Sequence, residues 1–107
     1  MAFSEATIQY NFAQAMRQAD ELDDLANQLT RLAENNVRNV MSNVQHNWEG
    51  ESASIFLSKA EKSRNDIMQT ARQMRNVASG IRKAARNVRA AEEQARQIAL
   101  TLSNSLR

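Results

Sequence analysis

Few residues of the chain have side chains that could do chemistry, and their spacing does not suit it. His46 is the only histidine. A metal site on a helix would need a second histidine four residues away or a glutamate three residues before the histidine, and neither pattern occurs here. The acidic cluster between Asp20 and Asp24 lacks the spacing and the glycine of a calcium loop. The absence of cysteine excludes thiol catalysis, disulfides and cysteine zinc sites. The sequence therefore predicts no enzyme, no metal site and no cofactor.

The elements that must position these side chains are long helices. The 107 residues include no proline, two glycines and 42% hydrophobic residues, which argues against turn-rich β folds and against disorder. Small or apolar residues recur every three or four positions from Ile8 to Trp48 and from Ala53 to Ala95, the spacing of one helix face. Ser4 is the expected N-cap of the first helix. We predict an all-α chain of one domain, 1–107, with helix 1 over about 5–46, a turn over about 47–51 and helix 2 over about 52–102.

The two glycines have different expected roles. Gly50 lies between the periodic segments, where it can supply the left-handed backbone that a helix end requires. Gly80 lies inside the second segment, and we expect the helix to tolerate it at a cost of about 1 kcal/mol relative to alanine. A break at Gly80, which would give three helices, is the alternative.

The distribution of charge favours an antiparallel hairpin. Residues 1–50 carry three basic and seven acidic residues, and residues 51–107 carry eleven basic and five acidic residues. Folding the chain about position 49 places residue i near residue 98−i, so the acids of helix 1 face the arginines of helix 2. The sharpest expectation is an ion pair between Asp23 and Arg75. Such an exposed pair contributes under about 1 kcal/mol and selects the register more than it stabilises the fold.

The apolar face of helix 1 is wider than one neighbouring helix can cover. The remainder would form an exposed patch of the kind that marks a partner surface. Two hairpins packed together would bury it, so we expect a dimer in the form of a four-helix bundle. The expected interface uses large apolar residues of both helices: Leu22, Leu25, Leu29, Leu32, Val40, Phe56, Ile67, Met74 and Ile81.

Trp48, Glu49 and Gly50 form a WxG motif at the turn, near the middle of the chain and with a helix on each side. This arrangement resembles the WXG-100 family, the small helical-hairpin proteins of type VII (ESX) secretion systems. The resemblance implies a non-enzymatic secretion substrate or co-secreted partner that acts by helix–helix dimerisation and is recognised by the type VII secretion ATPase. It also implies a protein that is made in the cytoplasm and exported without a cleaved signal peptide.

The family also carries a C-terminal export signal, in which an aromatic residue is followed four positions later by an acid. Glu92 matches the acid, but Val88 occupies the aromatic position, so the signal is incomplete. Either a partner supplies the aromatic residue or the secretion system reads a different feature. The departure favours a partner or targeting role. The expected partner is a second copy or a related WxG-type helical protein, which includes the helical export domain of a larger toxin.

Other interpretations stay open. Trp48 can also serve as a hydrophobic anchor that caps the end of the bundle. The main alternative function is a cytoplasmic coiled-coil adaptor or structural protein with a coincidental WxG. A nucleic-acid surface on helix 2 is less favoured, because the acids of helix 1 are available to neutralise its basic residues. Since no run of about 18 apolar residues is present, we expect no stable membrane insertion.

Overall fold

Helices make up nearly all of the described chain, which in this computed structural model is residues 4–106. The first helical segment consists of α1 (Glu5–Arg31), a π-helical turn (Leu32–Val37) and α2 (Arg38–Asn47). The second is α3 (Glu51–Ser105), a helix of 55 residues. About 95% of the described residues are helical and none of them lies in a strand, which confirms the all-α prediction. Because α3 continues through Gly80, the three-helix alternative is wrong.

Local hydrogen bonds and one glycine determine where the helices begin and end. Ser4 caps α1, and its Oγ accepts a hydrogen bond from the backbone N–H of Thr7 at 3.1 Å, as expected of an N-cap serine. At the end of α2 the N–H of Trp48 donates to the carbonyl of Val44 at 2.9 Å, while Trp48 itself is extended, with φ −138° and ψ 129°. Gly50 then adopts a φ of +104°, which residues with a Cβ rarely adopt. The prediction that Gly50 supplies left-handed backbone is confirmed.

The chain folds into two compact units. Unit 1 consists of Met1–Glu21 and Val77–Arg107, and unit 2 consists of Leu22–Asn76, which includes the turn. Within each unit a stretch of the first helical segment lies antiparallel to a stretch of α3. Two ion pairs across unit 1 show this direction, and an ion pair and a side-chain hydrogen bond show it across unit 2. This pairing is consistent with a helical hairpin. The single-domain organisation stays a prediction.

Alanines fill the contact between the paired helices in both units. Seven of the eight buried hydrophobic residues in the described chain are alanines. Six of them form what we call the alanine seam, with Ala19, Ala78 and Ala85 in unit 1 and Ala26, Ala33 and Ala71 in unit 2. Their seven-residue spacing keeps one line of side chains turned to the neighbouring helix. Since each buried methyl group contributes only about 0.8 kcal/mol, the seam lets the helices approach closely but buries little apolar surface.

The π-helical turn Leu32–Val37 is a feature that the sequence analysis did not predict. A π turn takes more residues than an α turn, so the residues after it are rotated relative to those before it. Continuing the seven-residue spacing from Ala33 would put Val40 in the seam, yet Val40 is 50% exposed. Met41 and Val44 are half-buried instead. The rotation therefore turns Val40 outward and leaves it accessible.

Candidate functional site

The WxG turn presents an aromatic pair. Trp48 contacts Phe56 in the second turn of α3, with ring centroids 6.0 Å apart and ring planes inclined by 51°, a favourable tilted geometry. The two side chains are 47% and 38% exposed. The extended backbone at Trp48 and the positive φ of Gly50 reverse the chain within three residues, which leaves the indole beside the start of α3. Trp48 and Phe56 together form an accessible aromatic surface in unit 2.

An apolar groove of about 510 Å³ lies beside this pair in unit 2. Val37 and Val40 line it from the first helical segment, and Phe56 and Ala60 line it from α3. Val40 reaches the groove because the π-helical turn rotates it out of the seam. This groove was missed by the sequence analysis, since the spacing of the apolar residues gives no sign of the rotation.

The nine residues predicted for the dimer interface are all accessible to some degree. Four residues of unit 2 are between 38% and 50% exposed: Leu25, Leu32, Val40 and Phe56. The other five are half-buried, with Leu22, Leu29, Ile67 and Met74 in unit 2 and Ile81 in unit 1. Because alanines occupy the seam, these larger side chains flank it and keep apolar surface for another molecule. Their part in a dimer stays a prediction.

Arginines of α3 pair with acids of α1 in unit 1. Arg82 Nη2 donates to Asp20 Oδ1 at 2.7 Å, and Arg96 Nη1 lies 3.6 Å from Glu5 Oε2. Each arginine lies three or four residues further along α3 than the position that the 98−i register predicts. The Cα–Cβ bonds of a helix tilt toward its N-terminus, so a long arginine side chain reaches back by about one turn to meet its acid.

Arg75 of unit 2 makes polar contacts that the sequence analysis did not predict. Its Nη2 atom donates to Asn27 Oδ1 and to Thr30 Oγ1, both at 3.0 Å. These acceptors are neutral, and both belong to the last turns of α1. The ion pair between Asp23 and Arg75 stays a prediction.

A part-buried ion pair joins the π-helical turn to α3 in unit 2. Arg64, with a side chain only 14% exposed, bonds to Glu34 at 3.1 Å and to Glu61 at 3.2 Å. Arg64 lies seven residues before Ala71 and takes the next position of the same line on α3. Burial of its guanidinium costs free energy that the two carboxylates offset. The ion pair with Glu34 therefore fixes which part of α3 lies beside the π-helical turn.

The second predicted recognition region lies in a groove of unit 1. The groove measures about 280 Å³, and Ile8 and Phe12 of α1 line it together with Val88 and Glu92 of α3. Val88 is 54% exposed, and Glu92 is half-buried. The guanidinium of Arg89 lies 3.7 Å from the centroid of the Phe12 ring, a cation–π contact that holds this ring in place. An aromatic side chain therefore does accompany Val88 and Glu92, but α1 supplies it.

The histidine and the acidic side chains form no metal site in the described residues. His46 donates from Nδ1 to the carbonyl of Ser42 at 2.7 Å, in the last turn of α2. No group of three or more histidine, cysteine or acidic side chains within residues 4–106 is placed to hold a metal ion. Over the same residues, no helix combines the length and the apolar character that crossing a bilayer requires.

Comparison with known proteins supports the resemblance stated above. Searches of curated proteins and of solved structures give no match. A family model described as "WXG100: Proteins of 100 residues with WXG" matches residues 7–93, a range that includes the WxG turn and most of both helical segments. Members of this family are small helical secreted proteins of type VII systems. The chain therefore belongs to the WXG100 family.

Proposed function

We propose that this protein is a small non-enzymatic substrate or co-secreted partner of a type VII secretion system, and that it acts through helix–helix dimerisation. Family membership supports the secretion role, since WXG100 proteins are non-enzymatic secretion substrates that typically form helical dimers. The observation that carries the proposal is the alanine seam, which holds the hairpin with small residues and leaves the large apolar side chains accessible.

The dimer buries the large apolar residues that flank the seam in unit 2. Leu25 and Leu32 stand 48% and 41% exposed on the first helical segment, and Phe56 stands 38% exposed on α3. A second copy presents the same side chains, so a two-fold arrangement covers both sets at once and gives a four-helix bundle. A related WxG-type helical protein is the alternative partner, and the helical export domain of a larger toxin would use the same surface.

Recognition for export uses two surfaces, the WxG turn and the unit 1 groove. The turn contributes the exposed indole of Trp48. The groove contributes Val88 and Glu92, and Phe12 supplies the aromatic ring that Val88 lacks. The type VII secretion ATPase binds these surfaces on the folded protein. The protein is made in the cytoplasm and leaves without a cleaved signal peptide.

Substitution of Trp48 separates recognition from folding. In cells with an active type VII system, Trp48→Ala is expected to lower the amount of protein in the medium by about tenfold or more, equivalent to about 1.4 kcal/mol of lost binding. Tyr10→Ala is the matched control, because Tyr10 is an exposed aromatic residue (62%) that does not line either groove. Light scattering on both variants should give the oligomer mass of the wild type.

Each outcome of that experiment has a distinct meaning. Export of Trp48→Ala at the wild-type level contradicts the recognition role of the turn. Loss of both export and dimer assigns Trp48 to the anchor that caps the bundle. If neither Trp48→Ala nor a truncation after Arg86 changes export, the assignment of both recognition surfaces is wrong, and the adaptor function with a coincidental WxG is favoured.

Phe12 provides an independent test of the groove. Phe12→Tyr keeps an aromatic ring beside Val88 and under Arg89, so export is expected at the wild-type level. Phe12→Ala removes the ring and is expected to lower export by about tenfold. Equal export of the two variants, with equal helicity by circular dichroism, contradicts the assignment of Phe12.

A further inference from the structure

The inward-facing side chains on the two sides of the π-helical turn of unit 2 lie one residue further apart than in a continuous α-helix. Ala26 and Ala33 of the alanine seam are seven residues apart and fully buried. Beyond the turn, Met41 is half-buried and Val40 is 50% exposed, so the spacing of seven residues becomes eight. Since one residue of an α-helix corresponds to a rotation of about 100°, the turn rotates α2 by that angle.

A side chain of this turn bonds to a buried group of α3. Glu34 Oε1 accepts a hydrogen bond from Arg64 Nη2 at 3.1 Å, and the Arg64 side chain is only 14% exposed. The other terminal nitrogen, Nη1, donates to Glu61 Oε1 at 3.2 Å, while Nε is buried and bonds to nothing within residues 4–106. Because Glu61 lies on α3 itself, the bond to Glu34 is the one that joins this guanidinium to the first helical segment.

The buried guanidinium makes the direction of Glu34 costly to change. A buried charge that loses a partner is strongly destabilising, because water does not replace the lost bond. Glu34 lies inside the π-helical turn, so rewinding the turn into α geometry would redirect its carboxylate and leave Arg64 with Glu61 alone. Arg38 also lies near Glu34, at 3.8 Å, but its side chain is 62% exposed, so water can replace this contact. The buried pair is therefore the contact that opposes a continuous α-helix.

We propose that the ion pair of Glu34 and Arg64 selects the π-helical turn and acts as the positioning contact that keeps the apolar groove of unit 2 open. With the pair in place, Val40 faces outward and lines this groove together with Phe56. Without the pair, the turn rewinds, Val40 rotates into the seam and Met41 rotates toward the solvent. The groove then loses the wall that α2 provides.

The rotation of α2 decides which side chain a partner meets on this helix. Val40 and Phe56 both belong to the predicted dimer interface, and Val40 can contribute to it only while it faces outward. Arg64 lies on the line of the seam and need not touch the partner, so its effect on binding is indirect. Only this consequence rests on the proposed function, since the choice between the two helix geometries is a property of the fold.

Thiol reactivity at positions 40 and 41 measures the rotation directly. The chain has no cysteine, so Val40→Cys and Met41→Cys each introduce a single thiol. The rate of reaction with an uncharged maleimide is divided by the rate of the same variant in urea, which corrects for intrinsic reactivity. The rates are measured at increasing dilution, so that no second copy covers position 40. We expect the thiol at position 40 to react about threefold or more faster than the thiol at position 41.

Arg64→Ala, added to each of the two single-thiol proteins, is expected to reverse this order. Position 40 should become slower and position 41 faster, each by about threefold or more. A general loss of stability would raise both rates, because it opens the fold at both positions. Arg64 and Met41 line the same cleft, and loss of the positive charge there would slow position 41, since it disfavours the thiolate. Only a rotation of α2 moves the two rates in these opposite directions.

Two further variants control the experiment. Lys62→Ala removes another ion pair of α3 in unit 2, between Lys62 Nζ and Asp66 Oδ2 at 3.0 Å, whose lysine side chain is 78% exposed. It should leave position 40 the faster of the two. Deletion of Asn35, an exposed residue of the turn, removes the one residue that the π-helical turn adds. Combined with Arg64→Ala, it should restore the faster reaction at position 40, because a continuous α-helix then carries Val40 outward.

Three results would overturn the proposal. The first is a thiol at position 41 that reacts as fast as the thiol at position 40 while Arg64 is intact. The second is an order that Arg64→Ala leaves unchanged, and the third is a reversed order that deletion of Asn35 does not restore. If Arg64→Ala does not fold, Glu34→Ala removes the same pair from the other side and is judged by the same criterion. These rates require neither export nor a dimer, so failure of this proposal is distinct from failure of the proposed function.

Discussion

The double substitution Leu25→Ser and Leu32→Ser is expected to dissociate the proposed dimer without unfolding the hairpin. The two leucines are 48% and 41% exposed, so about half of each side chain is left for a partner to cover. Full burial of a leucine contributes about 1.5–3 kcal/mol, and the half that a partner covers contributes about 1 kcal/mol. A two-fold dimer contains each leucine twice. The loss is therefore about 4 kcal/mol, which raises the Kd of the dimer about a thousandfold.

Sedimentation velocity over a range of concentrations measures this change. Tyr10→Ser is the matched control, because Tyr10 is 62% exposed but is not one of the residues predicted for the interface. We expect the control to dimerise like the wild type. Far-UV circular dichroism should show equal helicity for the wild type and both variants, since the substituted residues do not belong to the alanine seam.

Two results would refute this reasoning. If the wild type dimerises and the double variant raises the Kd by less than about tenfold, the leucines do not lie in the interface. If the wild type is monomeric, at 12.1 kDa, at every concentration, the homodimer is wrong. The accessible apolar residues then belong to a heterodimer with a related helical protein.

The remaining predictions concern the stability of the hairpin and are checked by urea unfolding. Ala71 is fully buried, so Ala71→Leu is expected to overpack the seam and lower the free energy of unfolding by about 1–3 kcal/mol. Ala13→Leu, at an exposed position of α1, should change it by less than about 0.5 kcal/mol, and equal effects of the two would contradict the seam. Gly50→Ala is expected to cost about 1–2 kcal/mol because of the positive φ alone, since nothing lies within 4 Å of an added Cβ. In Gly80→Ala the added Cβ has nothing within 4 Å either, and the variant should stabilise α3 by about 1 kcal/mol. A lower free energy of unfolding would contradict the open space around Gly80. Ser4→Ala removes the cap of α1 and should cost about 1 kcal/mol, and an unchanged midpoint would mean that this turn is frayed.

The helices and the turn could be predicted from the sequence because local chemistry decides them. Apolar spacing predicts two long helices, Ser4 has the hydroxyl that an N-cap uses, and Gly50 is the residue that tolerates a positive φ. Gly80 follows the same rule, because local chemistry also decides that the helix does not end there. One glycine among strong helix formers costs too little to end a helix of 55 residues.

The π-helical turn could not be predicted in this way. Leu32–Val37 contains no glycine and no proline, so no local signal distinguishes it from an α-helix. Its Glu34 bonds to Arg64, thirty residues away, and the arginine takes a seam position that alanine fills elsewhere. The extra residue in the turn accompanies a contact between distant parts of the chain. The outward rotation of Val40 and the groove beside it accompany this turn.

The aromatic ring in the unit 1 groove was missed for a related reason. The sequence analysis searched for an aromatic residue near Val88 along the chain, and Phe12 lies 76 positions away. The antiparallel pairing brings the two together, and the contact with Arg89 keeps the ring there. A pairing register exact to about one helical turn would have been needed to find Phe12 from the sequence.

The alanine seam and the larger apolar residues around it form two separate sets of residues in this chain. The buried alanines fill the contact within the hairpin, and the leucines, valines and aromatic residues around them are the residues that contact the partner in the proposed function. Since Leu25, Leu32 and Val40 are 48%, 41% and 50% exposed, substitutions there remove little that is buried within the hairpin, so a gene copy could acquire a new partner while its product continued to fold. Among diverging descendants, the seven-residue alanine spacing should persist longest, and the exposed apolar residues should change in step with the partner.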